Sequence, residues 1–273
     1  MLRLSMSELT TYRWSFEEDV AQIAAAGYSG IGIWRDKLTD YGIDRGIKLL
    51  EEYQLHASSL TWAGGFTGSD GRRARDALQD TWEAIQIAAH LRAAYLVVHP
   101  GARAGHTWNH ARRLVTRALE RLIPYAEEFD IKLAIEPMNE TCACGWTFLT
   151  DLDDTLAVLE DLKSDRVTLV LDTYHLFHPE TTSNHLPRLA SLVDRIGVVH
   201  VGDAKRSVVR EQNRCRLGEG TVPLREILSA LMRAGYDGYF EVELIGQDVE
   251  MCEYQSLLAD SKEVIQELAS VAW

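Results

Sequence analysis

The sequence has no excess of positive charge. Its 273 residues include 28 lysine and arginine residues against 41 aspartate and glutamate residues, so the formal net charge is −13 at pH 7. Proteins that bind DNA or RNA non-specifically neutralise phosphates with lysine and arginine surfaces. The composition therefore argues against a nucleic-acid partner, while it leaves room for a local basic site.

Cysteines are few, and their spacing indicates no shared function. Cys142, Cys144, Cys215 and Cys252 form no Cys-x-x-Cys motif and no paired zinc-binding spacing. We expect reduced thiols, as in most cytosolic proteins. A core of this size needs no disulfide bonds.

Long apolar runs, linkers and low-complexity tracts are also absent. No run reaches the length of a membrane span, and an acidic residue at Glu8 interrupts the start too early for a secretory signal. With 46% hydrophobic and 25% charged residues, the composition is that of an ordinary globular protein. We therefore expect a cytoplasmic protein without membrane contact, and one domain over residues 1–273.

Apolar strands alternate with amphipathic helices from end to end. The strand patterns lie at Leu2–Met6, Gly30–Trp34, His56–Trp62, Tyr95–His99, Lys132–Met138, Val167–Tyr174, Ile196–Gly202 and Tyr239–Ile245. The helix patterns lie at Phe16–Ala26, Asp44–Tyr53, Arg73–Leu91, Trp108–Phe129, Leu152–Leu162, Asn184–Val193, Pro223–Ala234 and Glu250–Ser270. Eight such pairs predict an α/β fold of the (β/α)8 TIM-barrel type. The alternative is an open doubly wound sheet, which the lack of a Gly-x-Gly-x-x-Gly motif after the first strand disfavours.

Metal-competent side chains stand where four of these strands end. They are Glu136, Asp172 and His200, together with Glu241 and Glu243 on one face of the last strand. A carboxylate that ends an apolar strand is costly to bury unless it is paired or bound to a metal. In a barrel, the carboxyl ends of the strands form one rim, so these groups are expected to converge. Carboxylate and imidazole ligands suit Mn, Mg, Co or Zn.

Other parts of the rim have features typical of substrate sites. Trp34, Arg35 and Trp62 stand at strand ends, where they could stack on a sugar or grip a carboxylate, phosphate or hydroxyl pair, or simply pack the rim. Residues 63–71 are glycine-rich and compatible with a mobile lid. Residues 203–221 carry five basic against three acidic residues. Such a loop suits an anionic or polyhydroxy substrate, or is a solvated loop.

Several motifs resemble one known family along nearly the whole chain. They are Ile135-Glu136-Pro137-Met138-Asn139, Leu171-Asp172-Thr173-Tyr174-His175, His200-Val201-Gly202-Asp203, Leu217-Gly218-Glu219-Gly220, and Gly235-Tyr236-Asp237-Gly238 followed by Glu243. They resemble the xylose-isomerase-like barrels, which include ketose 3-epimerases, hydroxypyruvate isomerases, inosose dehydratases and apurinic endonucleases.

The resemblance implies one divalent metal on Glu136, Asp172, His200 and Glu243, with Glu241 left as a salt-bridge partner deeper in the barrel. Manganese is the first choice, and magnesium, cobalt and zinc are alternatives. His175 and Arg206 are implied as substrate contacts. His99 matches a histidine that binds a second metal in the endonucleases, and here we expect it either to contact the substrate or to pack under the rim. The endonucleases carry an aspartate and a histidine where this chain has Gln212 and Arg214, which cannot replace them.

The resemblance also implies an activity. We expect a sugar or keto-sugar isomerase or epimerase that removes a proton next to a carbonyl through a metal-stabilised enediolate. Glu136 and Glu243 would exchange the proton, and the protein would act on a small sugar, as a homodimer or homotetramer. A lyase or dehydratase, an apurinic endonuclease and a non-catalytic binding protein are the alternatives. Neither the sugar nor its phosphorylation follows from the sequence.

Overall fold

The protein folds as a closed parallel barrel. The computed structural model describes residues 2–178, 181–205 and 213–270. In chain order, the strands are β1 (Arg3–Ser7), β2 (Gly30–Trp34), β3 (His56–Gly64), β4 (Tyr95–His99), β5 (Lys132–Ile135), β6 (Val167–Asp172), β7 (Ile196–Val201), β8 (Asp203–Ala204), β9 (Arg214–Cys215) and β10 (Tyr239–Val242). The barrel order is β1-β10-β7-β6-β5-β4-β3-β2, and β8 and β9 form a separate antiparallel pair. The predicted (β/α)8 fold is confirmed.

Helices follow the barrel strands. They are α1 (Phe16–Ala25), α2 (Arg35–Tyr41), α3 (Ile43–Tyr53), α4 (Ala74–His90), α5 (Trp108–Glu128), α6 (Leu152–Leu162), α7 (Thr173–Leu176), α8 (Thr182–His185), α9 (Leu189–Leu192), α10 (Leu224–Arg233), α11 (Gln247–Glu250) and α12 (Tyr254–Ser270). Local sequence fixes several starts: Ser15 and Glu18 form a capping box on α1, and Asp151 accepts backbone N–H groups at the start of α6.

Two apolar regions hold the barrel together. The larger one lies between strands and helices, where α5 buries the predicted stripe of Ala111, Val115, Ala118, Leu119, Leu122 and Ala126. The smaller one consists of Val97, Ala134, Val170, Val198 and Tyr239. Each of these five residues lies on a different barrel strand. The side chains two residues further along point to the same side of each strand, because side-chain direction alternates.

The structure differs from the predicted elements at several places. An unpredicted helix, α2, begins directly after β2. β5 and β6 end at Ile135 and Asp172, earlier than predicted, because the chain turns into loops and a short helix there. The predicted helix Asn184–Val193 is divided into α8, α9 and short 3-10 turns, with Pro187 at the first break. Arg206 and Gln212 lie outside the described residues.

Candidate metal and substrate site

The four predicted metal ligands lie together at the carboxyl end of the barrel. Glu136 follows β5, Asp172 ends β6, His200 lies in β7 and Glu243 follows β10. Each offers one ligand atom, and these atoms all lie within 4.8 Å of one another. All four residues are buried. Because a chelating cluster so deep in the protein has little access to water, its charges must be balanced from within the site.

The alternation of side chains along the strands explains this convergence. Glu136, Asp172 and His200 each follow by two residues an apolar residue of the barrel interior, namely Ala134, Val170 and Val198. β6, β7 and β10 are also in matched register, with His200 opposite both Asp172 and Glu241. The interior therefore changes from an apolar layer to a polar layer near the rim.

His200 directs its Nδ1 atom at all three carboxylates. The distances from Nδ1 are 3.3 Å to Glu136 Oε1, 3.5 Å to Glu243 Oε2 and 3.8 Å to Asp172 Oδ2. Burial lowers the pKa of His200, but the charges of Glu243 and Glu136 outweigh burial and raise it to about 10. In the metal-free protein, the three carboxylates therefore stabilise a proton on His200 Nδ1. A metal cation at the same place would be stabilised by the same negative charges.

His99 links this cluster to the opposite side of the barrel mouth. It ends β4, and its Nε2 atom lies 2.6 Å from Glu136 Oε2. Burial opposes ionisation of Glu136, but His200 and His99 outweigh burial and hold the pKa of this carboxyl well below its ordinary value. Glu136 is therefore ionised at neutral pH, as a metal ligand must be.

Arg214 is a site residue that the sequence reasoning missed. It lies in β9 and is fully buried. Its Nη2 atom donates to Asp172 Oδ2 at 2.9 Å and to Glu243 Oε1 at 3.1 Å, and its guanidinium carbon lies 4.4 Å from the centre of the Tyr174 ring. In the sequence, Arg214 is one of the five basic residues of the loop 203–221, and it stands before the Leu217-Gly218-Glu219-Gly220 turn where the endonucleases carry a histidine.

The charges of this cluster fit a divalent cation. Burial raises the pKa of Glu243 to about 7, with His200 and Arg214 acting against the increase. When ionised, Glu136, Asp172 and Glu243 carry three negative charges, and Arg214 balances one of them. Two negative charges remain with neutral His200, and a divalent metal would balance them. The donor set therefore fits the metal that the sequence predicts.

Glu241 lies deeper than the four ligands. It is fully buried and accepts hydrogen bonds from Ser58 at 2.7 Å, from Ser59 at 3.0 and 3.1 Å, and from Ser5 at 3.4 Å. Its Oε1 atom lies 3.7 Å from His200 Nε2, on the side of the ring opposite the ligand cluster. A Cβ at Gly32 would collide with this carboxylate, so the absence of a side chain there makes room for it.

His175 lies beside the cluster rather than on a strand. It is in α7, which begins because Asp172 Oδ1 accepts the backbone N–H groups of Tyr174 at 2.7 Å and His175 at 3.1 Å. Its Nε2 atom lies 3.5 Å from Arg214 Nη2. Burial lowers the pKa of His175 to about 4, so its imidazole is neutral at pH 7. Of the two predicted substrate contacts beside the metal, His175 reaches the cluster and Arg206 lies outside the described residues.

A cavity of about 310 Å³ opens next to His99. We call it the aromatic chamber, and it is lined by Trp34, Trp62, Trp146 and His99, and by charged residues considered below. Trp62 lies at its centre: its ring centroid is 4.6 Å from that of Trp146 and 6.5 Å from that of Trp34. Trp146 was not predicted, because it comes from the loop between β5 and α6. The volume lies at the lower end of the range for small-molecule pockets, about 300–1,000 Å³.

Asp203 orders the loop beside the cluster. Its carboxylate accepts four backbone N–H groups, from Gly218 and Gly220 at 3.0 Å each, from Ala204 at 2.8 Å and from Val222 at 3.1 Å. This arrangement joins β8 to the Leu217-Gly218-Glu219-Gly220 turn. Since β8 pairs with β9, Asp203 also fixes the strand that carries Arg214.

The fold and this cluster define a metal-competent TIM barrel, and comparison with known proteins gives its family. The model of the xylose isomerase-like TIM barrel matches residues 20–270. The chain belongs to this family, as its motifs predicted.

Relatives in the family have different activities. The chain is 25% identical over 248 residues to fructoselysine 3-epimerase of Shigella flexneri, covering 85% of this chain and 86% of that protein. It is 32% identical over 127 residues to D-psicose 3-epimerase of Enterocloster bolteae, and 28% identical over 148 residues to probable endonuclease 4 of Mycoplasma mobile. These two matches cover 46% and 51% of this chain, but only 38% and 51% of the two relatives. Most of the relatives with a named activity are sugar isomerases or epimerases.

Solved structures show the same barrel. A protein of Sinorhizobium meliloti 1021 has a TM-score of 0.88 at 25% identity, over 97% of this chain and 98% of that one. The IolI protein, solved with a zinc atom, has a TM-score of 0.86 at 20% identity, over 100% and 99% of the two chains. Among the described residues, no helix has the length and apolar character needed to cross a membrane.

Proposed function

We propose that this protein is a divalent-metal-dependent sugar isomerase or epimerase that moves a proton next to a carbonyl. The observation that carries the proposal is the convergence of Glu136, Asp172, His200 and Glu243 within 4.8 Å in a buried cluster. The epimerases of ketose sugars and of fructoselysine among its relatives support the same class of reaction. The aromatic chamber next to His99 offers space for a small sugar.

The four ligands favour manganese. Three carboxylates and one imidazole form a mostly hard donor set, which suits Mn or Mg, while the imidazole also admits Co or Zn. The zinc in the IolI structure supports a divalent metal in this family. When bound, such a metal supplies Lewis acidity that stabilises negative charge on the oxygens next to the reacting carbon.

The chain's own residues would perform the proton transfer. Glu136 and Glu243 enter the cluster from β5 and β10, which are separated in the barrel by β6 and β7. One carboxylate takes the proton from one face of the carbon, and the other returns a proton to the opposite face. Arg214 holds Asp172 and Glu243 in place through its hydrogen bonds, and neutral His175 donates a hydrogen bond that orients a substrate oxygen.

Metal analysis is the first test. Purified wild-type protein should contain about one Mn, Mg, Co or Zn per chain, and Glu243→Gln should lose most of it. Glu263→Gln changes an exposed glutamate of α12 and serves as the matched control. Two or three metals per chain would support an endonuclease-like site instead, and no metal even after supplementation would contradict the proposal.

Proton exchange is the second test. The loaded protein, incubated with ketoses in heavy water, should exchange the C–H proton next to the carbonyl. Glu136→Gln should abolish this exchange even where metal is retained. Loss of water from the substrate, seen as an unsaturated product, would identify a lyase, which shares the same first step.

Phosphodiester hydrolysis is a second candidate because of the similarity to the Mycoplasma endonuclease. The position of Arg214 disfavours it, since a guanidinium already pairs with Asp172 and Glu243 where additional metals would need ligands. Cleavage of abasic DNA by the loaded protein would favour this candidate over sugar chemistry.

A further inference from the structure

The aromatic chamber contains two arginines, and both are already neutralised. Arg35 Nη2 donates to Asp80 Oδ1 at 2.7 Å. Arg72 donates from Nη1 to Asp80 Oδ2 at 3.0 Å, from Nε to Asp70 Oδ2 at 2.7 Å and from Nη2 to the Gly64 carbonyl at 3.0 Å. Asp80 therefore uses one carboxylate oxygen for each guanidinium.

The balance of charge on this wall is slightly negative. The lining includes Arg35 and Arg72 against Asp36, Asp70 and Asp80, which is one carboxylate more than guanidinium groups. Within the described ranges, both guanidinium groups that line the chamber are thus already paired with acids.

Three backbone N–H groups around the chamber already have acceptors within the protein. Gly65 donates its N–H to the His99 carbonyl at 2.9 Å, and Gly101 donates to the Trp146 carbonyl at 2.8 Å. The N–H of Trp34 donates to Glu8 Oε2 at 2.7 Å. An anion-binding concavity needs several N–H groups that point at the ligand, and these three point into the protein.

We propose that Asp80 sets the substrate specificity of the chamber: by neutralising Arg35 and Arg72 it makes the chamber accept the uncharged, hydroxyl-bearing end of a sugar and disfavour a phosphate or carboxylate there. The inference rests on the proposed function, because it places the reacting carbonyl at the metal cluster and the remote end of the sugar past His99. Trp34 and Trp62 fit such an end, since their indole rings line the chamber and can pack on the C–H surface of a sugar. A phosphate would stay unpaired or would have to displace Asp80, and both cost binding energy.

The test compares a ketohexose with its 6-phosphate on the manganese-loaded protein. We expect wild type to favour the neutral sugar by at least about tenfold in kcat/KM for proton exchange, and in Kd by calorimetry. Asp80→Asn removes the only acidic partner that Arg35 has among the described residues and one of the two acidic partners of Arg72, and should move this ratio toward the phosphate by about tenfold or more. Asp76→Asn, on the same helix but paired with exposed Arg75, is the matched control and should leave the ratio unchanged.

The outcomes separate this inference from the proposed function. The role of Asp80 is overturned if wild type prefers the 6-phosphate or shows no preference between the two ligands. It is also overturned if wild type binds neither ligand. A ratio that Asp80→Asn does not move overturns it too, provided that thermal unfolding shows a folded variant; if the variant does not fold, the wild-type ratio decides alone. Binding selectivity without any proton exchange would contradict the proposed reaction but support the chamber.

Discussion

The rim of this barrel has two halves with opposite chemistry. The four neighbouring strands β10, β7, β6 and β5 carry the carboxylates and imidazole, which are almost fully buried. The ends of β2, β3 and β4 carry most of the aromatic chamber, where Trp34 and Trp62 are half-buried and the charged groups are partly exposed. Both halves are built from the carboxyl ends of parallel strands, and they differ in the side chains that these ends carry.

This difference suggests a division of work. The buried half is held by many contacts, because each carboxylate oxygen of the ligand cluster lies within 3.5 Å of an arginine or histidine nitrogen. The chamber is shaped by ring contacts and surface ion pairs, which are weaker and more easily altered. We therefore expect changes in the ligand half to abolish function and changes in the chamber half to alter which sugar is used. His99, which touches Glu136 and lines the chamber, is where the two halves meet.

Removing Arg214 should have the largest effect on stability. Arg214→Leu leaves Asp172 and Glu243 without their cation, and breaking a buried ion pair on one side costs about 3–5 kcal/mol. We expect the Tm of the metal-free protein to fall by about 10 °C, and divalent metal to restore more of the Tm than it adds to wild type. Thermal unfolding with chelator and with manganese measures both.

Arg233→Leu removes an exposed arginine of α10 and is the control for this change. Equal Tm values for the two variants in chelator would show that Arg214 contributes no net stabilisation to the cluster, and the contrast between the two halves would lose its main support.

Metal affinity should rise with pH. In the metal-free protein, Glu243 has a pKa of about 7 because burial raises it, and His200 has a pKa of about 10 because Glu243 and Glu136 outweigh its burial. Both groups bind protons that a metal must displace, so affinity should increase by up to about tenfold per pH unit for each proton released. Calorimetry between pH 6 and pH 8, in buffers with different ionisation enthalpies, counts these protons.

The same pKa shifts determine the pH dependence of stability. Both pKa values are raised on folding, from 4.5 to about 7 for Glu243 and from 6.5 to about 10 for His200. The metal-free protein therefore loses stability as pH rises through these two windows. The increase in Tm on adding metal should be larger at pH 8 than at pH 6. An increase that is larger at pH 6 would contradict the assignment of Glu243 and His200 as ligands.

A smaller effect is expected at Glu241, which connects the two halves from below. Its carboxylate faces His200 Nε2 and favours a proton on that nitrogen, which leaves Nδ1 for the metal. Glu241→Gln should weaken metal binding by about tenfold, in the range known for groups that orient metal-bound histidines. Competition with a chelator measures the Kd, and the visible spectrum of the cobalt-loaded protein reports the changed ligand geometry.

Ser5→Ala is the control for Glu241, because it removes only a 3.4 Å hydrogen bond to the same carboxylate. We expect it to change the metal Kd by much less than Glu241→Gln. If both variants bind metal like wild type, Glu241 is a packing residue of the barrel interior only.

The sequence predicts the ligand half of the rim better than the chamber half. Glu136, Asp172 and His200 end regular strands, and the period of two places their side chains once the barrel is recognised. Trp146 and Arg214 are positioned by loops and by the short strand β9, for which no period exists. The pairing of Arg35 with Asp80 joins residues from α2 and α4, and such contacts follow only from the tertiary fold. The side-chain directions at strand ends can be predicted from sequence. The positions of loop side chains depend on their tertiary contacts, which the sequence pattern does not give.

The smallest predicted effect lies in the chamber. Trp62 contacts the rings of both Trp34 and Trp146, so Trp62→Leu should remove the central stacking surface. We expect KM for the sugar to rise about two- to tenfold with little change in kcat, because an aromatic contact contributes about 0.5–1.5 kcal/mol. Trp82→Leu changes a half-buried tryptophan of α4 that contacts Tyr125 of α5 and does not line the chamber, and it is the matched control. An unchanged KM for Trp62→Leu would show that the chamber does not bind the substrate. A large fall in kcat would show that the two halves do not act independently. The substitution would then impair the proton transfer at Glu136, which His99 contacts.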